Sequence, residues 1–356
     1  MTYRGRSAVS IENHSLRVTV LREGGHIAEM VHKATGVNPL WTPPWTGMEP
    51  SQYDAARNAE YGPDIDAKLL AGIAGHNLCL DIFGGPSAEE AACGIGVHGE
   101  SSVAPYEIEA LGERLHMSAC FPLAQLQFER TIELTGDAIG IAESVENLAA
   151  FDRPIAWTQH VTLGPPFLEC GVTRFEMTAA QSKVFESRFG AGDYLEPGAV
   201  FAWPMAPRAT GGVCDLRVFN GAQASSAYTA HLMDPGREGA AFTAFHPGLQ
   251  LAFGYCWQRS DFPWLGIWEE NRSRLHAPWS GVAIACGMEF GVSPFPETRR
   301  QTIERGSLFG KPVFRWLPAR AKLEARYLAG FAAIAEPFAP EDLLTINFAG
   351  RRTAVV

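Results

Sequence analysis

From Val103 onward the chain is divided into short runs of apolar and polar residues, broken at roughly 8 to 12 residue intervals by Gly, Asp or Pro, and this rhythm constrains the fold most. Tyr106–Ala110, Arg114–Ala119, Leu126–Leu134, Ala138–Asn147 and Ile155–Leu163 read as strands. The pattern resumes over Asp215–Phe219, Tyr228–Met233, Ala240–Phe245, Leu249–Cys256, Val282–Phe290 and Lys322–Phe331. Strands at this spacing predict a sandwich or barrel, and the helices that parallel βαβ units require are missing. The 36 Gly and 24 Pro in 356 residues agree with a turn-rich chain. Helical periodicity is confined to Ile65–Ala74 and a stretch near Pro340–Leu344. The expectation is an all-β, mainly antiparallel chain in one domain over 1–356, with no internal repeat or linker.

Ahead of the rhythm, Ser15–Leu21 alternates apolar and polar residues, Gly24-Gly25 turns, and Ile27–His32 reads as the returning strand. An irregular stretch from Asn38 to Pro63 carries Trp41, Trp45 and Tyr53. Loops this long are usually functional, and displayed aromatic rings suit the C–H faces of sugars; two tryptophans plugging the end of a sandwich is the alternative.

Charge and motif content remove several functions. A net charge of −10 with no basic run excludes nucleic acid as the expected partner, because that affinity rests on Lys and Arg neutralising phosphates. The seven cysteines are scattered singly without a CxxC pair and read as reduced core residues. The amino terminus lacks the apolar stretch of a secretory signal and no segment is long and apolar enough to span a membrane, so a cytoplasmic address is expected. Ten histidines show no metal-ligand spacing, and Gly84-Gly85 and Gly94-Ile95-Gly96 lack the strand and helix of a nucleotide loop; neither metal nor cofactor is expected. A small neutral sugar fits the charge, with monomer and homodimer both open.

Three segments can carry chemistry: Val97-His98-Gly99-Glu100, Trp157-Thr158-Gln159-His160-Val161-Thr162-Leu163 and Cys286-Gly287-Met288-Glu289-Phe290. Glu289 is the sharpest single signal, since the other residues of Val282–Phe290 are apolar or Gly, and a buried carboxylate without a partner or task is strongly unfavourable. Pairing with Arg272 or Arg299 is its structural alternative, as a satisfied core imidazole is for His160. In order and content the three segments resemble those of the aldose 1-epimerase (galactose mutarotase-like) superfamily. Thr35-Gly36-Val37-Asn38-Pro39-Leu40-Trp41 is similar to the family's start. The resemblance covers about residues 10 to 330. It implies a β supersandwich, with Glu289 as general base, His160 as general acid and His98 as a sugar-binding residue near the ring oxygen. The chain departs from the family in Glu100-Ser101-Ser102 after His98-Gly99, in Gln159 before His160 and in Val161-Thr162-Leu163 after it; these departures turn the expectation away from a phosphorylated hexose and leave the sugar open.

The implied reaction is mutarotation of an aldose: a base takes the proton of the anomeric hydroxyl while an acid protonates the ring oxygen, and the ring recloses on the other carbonyl face. One carboxylate and one imidazole suffice. Both must reach one ring, which predicts Glu289 and His160 across a cleft without direct contact. His76, Asn77 and Asp81 in a turn-bearing polar cluster, Gln159, and Trp268 with its neighbours Trp264, Glu269 and Glu270 are further candidates for sugar contacts, as is Asp193. Two rival readings stay open. One is a catalytically silent sugar-binding protein. The other is a lyase or hydrolase using Glu269 with Glu289.

Overall fold

A computed structural model describes residues 1–188, 190–220 and 224–334. Among these residues the strands assemble into a 12-stranded and an 8-stranded sheet, accompanied by two small hairpins. The predicted helix near Pro340–Leu344 lies outside the described residues. The helix expected over Ile65–Ala74 is present as Ala67–Gly72. No helix among the described residues is long and apolar enough to cross a membrane.

Five adjacent strands of the larger sheet matter for the site. In spatial order they are His76–Asp81, Arg153–Leu163, Ile284–Gly291, Trp264–Asn271 and Ser225–Met233, all paired antiparallel. Alternation decides what each face carries. Along Arg153–Leu163, Ile155, Trp157, Val161 and Leu163 join the large core between the sheets, whereas Ala156 belongs to a second apolar cluster on the opposite face. The same parity places Cys286, Met288 and Phe290 in the core, where Phe290 stacks on Trp257 with ring centroids 4.3 Å apart, and turns Ala285, Gly287 and Glu289 to the other face.

The core between the sheets also holds a closed polar network. Arg130 Nε donates to Glu143 Oε1 at 2.6 Å, and both side chains are buried. Gln159 Nε2 donates to Glu143 Oε2 at 2.6 Å, while Gln159 Oε1 accepts from His76 Nε2 at 3.0 Å and Arg130 Nη2 at 3.3 Å. The hydroxyls of Tyr327 and Tyr255 complete it, at 2.7 Å from Glu143 Oε1 and 3.1 Å from His76 Nδ1.

Two local expectations are corrected. Gly75–Asp81, read as a turn-bearing cluster, is a buried strand from His76 to Asp81; its polar residues have partners on both faces. Of the predicted Asp215–Phe219 strand only Asp215 lies in a strand, Val213–Asp215, paired with Met205–Pro207, and the chain then turns so that Val218 bridges Arg174.

Candidate functional site

The second apolar cluster covers the outer face of the five strands. It is built from the Trp41 and Trp45 loop, the Ala67–Gly72 helix, Phe83 and Trp279. Trp45 lies edge-on to Trp279, at 5.1 Å between centroids, and its indole N–H bonds the Leu70 carbonyl at 2.9 Å, tying the loop to the helix. The irregular stretch therefore packs behind the site, and its tryptophans are not among the residues that line the cavity. Between these pieces and the sheet is a cavity of about 220 Å³.

Strand register brings the acid and base candidates together. His160 lies directly opposite Glu289, and Glu289 opposite Gly266, so His160 and Glu289 stand side by side on the outer face. His160 Nε2 is 3.0 Å from Glu289 Oε1, and His160 Nδ1 is 3.0 Å from Thr162 Oγ1 on the same strand face. The separation predicted from sequence is thus replaced by contact, because antiparallel pairing sets facing Cβ atoms only about 5 Å apart. Tyr228 donates to the other oxygen, Glu289 Oε2, at 3.2 Å. It reaches across a strand because position 266 is Gly: a Cβ there would fall on the Tyr228 hydroxyl, and one at Gly287 would fall on the Glu289 carboxylate. Burial, and then the adjacent Glu289, push the Tyr228 phenol well above its usual range, so it remains a donor.

His98 comes from a loop held by strand backbone, with Leu80 N–H donating to its carbonyl and its own N–H donating to Gly84. Its ring is 5.0 Å from that of His160. Nδ1 lies 2.6 Å from the Phe83 carbonyl, which can only accept, so Nδ1 carries the proton and Nε2 is left as an acceptor. Burial, with the neighbouring His160 ring, pushes its pKa down to about 3, which keeps that neutral tautomer at physiological pH. Trp268 continues the row, 6.0 Å from His160 and 5.9 Å from Trp279 between centroids. Neither indole N–H finds a partner among the described residues. Arg274 lies over Trp279 at 4.6 Å and reaches Glu270 Oε2 at 3.4 Å; with Asp66 it adds the charged part of the lining.

Glu289, His160, His98 and Trp268 therefore line one cavity. Four other residues singled out from the sequence do not. Gln159 and His76 belong to the network between the sheets, because each neighbours an outward-facing residue and strand parity turns it inward. Asn77 does face the His160 side, directly opposite it in register, but is fully buried against the Ser102 hydroxyl at 3.4 Å. Asp81 ends its strand at φ 78° and is held by Arg153 and by Arg299, the latter at 2.6 Å. That pairing also removes Arg299 as a partner for Glu289, and Arg272 bonds Asn271 at 3.1 Å.

Glu269 lies opposite Cys286, on the reverse face from Glu289, where Ser225 and Tyr194 bond it, so the two cannot act as a carboxylate pair. Asp193 bonds the Ser226 hydroxyl, Glu270 bonds Ser273 at 2.7 Å, and Trp264 donates to the Pro312 carbonyl at 3.1 Å. Sequence reasoning missed Tyr228, Thr162, Trp279, Arg274 and the Leu69–Leu70 wall. Glycines inside strands, at 266 and 287, were the available signal of a close approach. Among the described residues, no group of three or more His, Cys, Asp and Glu side chains could hold a metal.

The match to solved structures decides the architecture. A candidate aldose 1-epimerase from Klebsiella pneumoniae superposes with a TM-score of 0.65 at 14% identity, over 92% of this chain and 79% of that one. The fold is that of the galactose mutarotase-like proteins. A galactose mutarotase-like protein from Clostridium acetobutylicum gives a TM-score of 0.62 at 14% identity, over 94% of this chain and 97% of that one. One from Lactobacillus casei gives 0.58 at 13% identity, over 92% and 100%. No family model and no curated protein matches the sequence. The expected supersandwich holds, and the likeness to the mutarotase-like proteins is one of fold.

Proposed function

We propose that this protein interconverts the anomers of an aldose by general acid and base catalysis in the His160–Glu289 cavity. The observation that carries the reading is the contact itself: one carboxylate and one imidazole, 3.0 Å apart, open onto a cavity lined by His98 and two tryptophans. The anomeric hydroxyl and the ring oxygen are bonded to the same carbon. An acid and base serving them must therefore be neighbours, and side-by-side placement suits the task better than opposition across a cleft.

In the charged form of the couple both His160 nitrogens donate, Nε2 to Glu289 and Nδ1 to the Thr162 hydroxyl. Glu289 accepts the anomeric O–H proton as the Nε2 proton of His160, released from its bond to Glu289, passes to the ring oxygen. The bond between anomeric carbon and ring oxygen breaks, leaving an open-chain aldehyde and a hydroxyl. After rotation about the adjacent carbon–carbon bond the transfers reverse, and both residues recover their starting protonation. Tyr228 fixes the second carboxylate oxygen, and His98 Nε2 accepts from a sugar hydroxyl. The apolar side chains of the lining take the C–H face of the ring.

Saturation-transfer NMR across a panel of free aldoses tests this: anomer exchange should accelerate with protein concentration for at least one sugar. Ligand-induced shifts without acceleration would favour the sugar-binding reading.

A further inference from the structure

Beyond the acid and base, the cavity lining combines a few hydrogen-bonding groups with a set of apolar side chains. Its size, about 220 Å³, lies below the ~300–1,000 Å³ of sites for drug-sized ligands and suits a single sugar ring. Glu289 and His160 serve one anomeric centre and the Tyr228 hydroxyl is committed to Glu289, which leaves His98 Nε2, the indole N–H groups of Trp268 and Trp279 and the charged residues Asp66 and Arg274 for the remaining hydroxyls.

One wall offers nothing polar from its side chains: Leu69, Leu70, Ile73, Phe83 and Val97. Two of its carbonyls are already engaged: Trp45 holds that of Leu70 at 2.9 Å and His98 Nδ1 that of Phe83 at 2.6 Å. A hydroxyl pressed against this wall would lose its water and find no replacement. A methyl group would lose nothing and bury apolar surface.

Charge points away from an acidic sugar. Arg274 is the arginine of the lining, and it already faces Glu270 at 3.4 Å and shares the cavity with Asp66 and Glu289. A carboxylate, sulfonate or phosphate on the ligand would add negative charge where none is in deficit.

We propose that the aldose taken by this cavity is neutral and bears a methyl group where common hexoses bear a hydroxymethyl: a 6-deoxyaldohexose, with its methyl against the Leu69–Leu70 wall. This rests on the reading that the cavity binds an aldose. It does not depend on turnover.

The test uses the full chain and pairs of free sugars differing at one oxygen: galactose with 6-deoxygalactose, glucose with 6-deoxyglucose and mannose with 6-deoxymannose, in both enantiomeric series, with glucuronate as the anionic control. Calorimetry gives Kd, and NMR gives the exchange kcat/KM. Hydrophobic pockets discriminate against an added hydroxyl by up to about 10²-fold, so at least one 6-deoxy sugar should bind at least ~10-fold tighter than its partner. Leu69→Thr should bring that ratio towards one, and the wild-type ratio stands as the test if the variant does not fold.

Equal or better binding of the hydroxymethyl sugar in every pair would overturn the proposal, as would tightest binding of glucuronate or no binding at all. Accelerated exchange without 6-deoxy preference would sink this proposal and leave the mutarotase reading standing. A 6-deoxy preference in Kd without acceleration would do the reverse.

Discussion

Gln159 and His160 are neighbours on one strand, yet they belong to two buried polar clusters with opposite characters. Gln159 turns inward to Arg130, Glu143, His76 and Tyr327, where the groups satisfy one another between the sheets. His160 turns outward to Glu289, beside Tyr228 and His98, and there the cluster opens onto a cavity with two indole N–H groups that lack partners among the described residues. Both contain a buried carboxylate, an imidazole and a tyrosine. Burial of charge therefore does not distinguish a site from a structural network; unfilled space beside the charge does.

The largest expected difference between the clusters is in stability. Arg130→Met leaves Glu143 buried without its cation and should destabilise the fold by about 3–5 kcal/mol, read from urea or thermal melts. Adding Glu143→Leu should recover only part of that loss, because the buried charge is gone but Gln159, Tyr327 and Trp157 lose their acceptor. If the single change leaves the melt unaltered, the inner network does not have the structural role assigned to it.

Next in size is the response to acid. His26, His98 and His231 are each pushed down to about 3 by burial, against an unfolded value of about 6.5. Between those values the unfolded chain binds more protons than the folded one, so the stabilisation is complete above about pH 6.5 and declines as pH falls towards 3. Each group should cost about 2 kcal/mol between pH 7 and 5, and urea midpoints should drop accordingly. His98→Gln should flatten that dependence by one group's share. A dependence as steep as in the unsubstituted chain would mean that His98 titrates normally in the fold.

Smaller still is the effect of loosening Glu289 without removing it. Tyr228→Phe deletes the donor to Oε2 and should lower kcat about 10-fold, the worth of one hydrogen bond to a charged group, with KM little changed. Gly266→Ala should mimic it by occupying the Tyr228 hydroxyl's position, and combining the two should add little. Fully additive losses would show that Gly266 acts by another route.

Much of this comparison was legible in the sequence. The turn rhythm gave the sandwich, since strand alternation is a local property, and Glu289 stood out as the one charge in an apolar strand. Parity alone also dictates that Gln159 and His160, or His76 and Asn77, cannot share a face. Which face holds the cavity depends on how the sheets pack, and that information is long-range. Asp81 misled because its partners, Arg153 and Arg299, are distant in sequence. The Glu289–His160 contact was hidden for the same reason: it follows from strand register, and the segments that set it are more than a hundred residues apart.

The most direct test is the NMR anomer-exchange rate of Glu289→Gln on an aldose the unsubstituted protein accelerates, with Kd and melting temperature measured in parallel. A loss of about 10²–10⁴-fold in kcat is expected, with binding and folding nearly unchanged, because the amide keeps the shape and loses the base. A folded, sugar-binding Glu289→Gln protein that exchanges anomers at the original rate would contradict it.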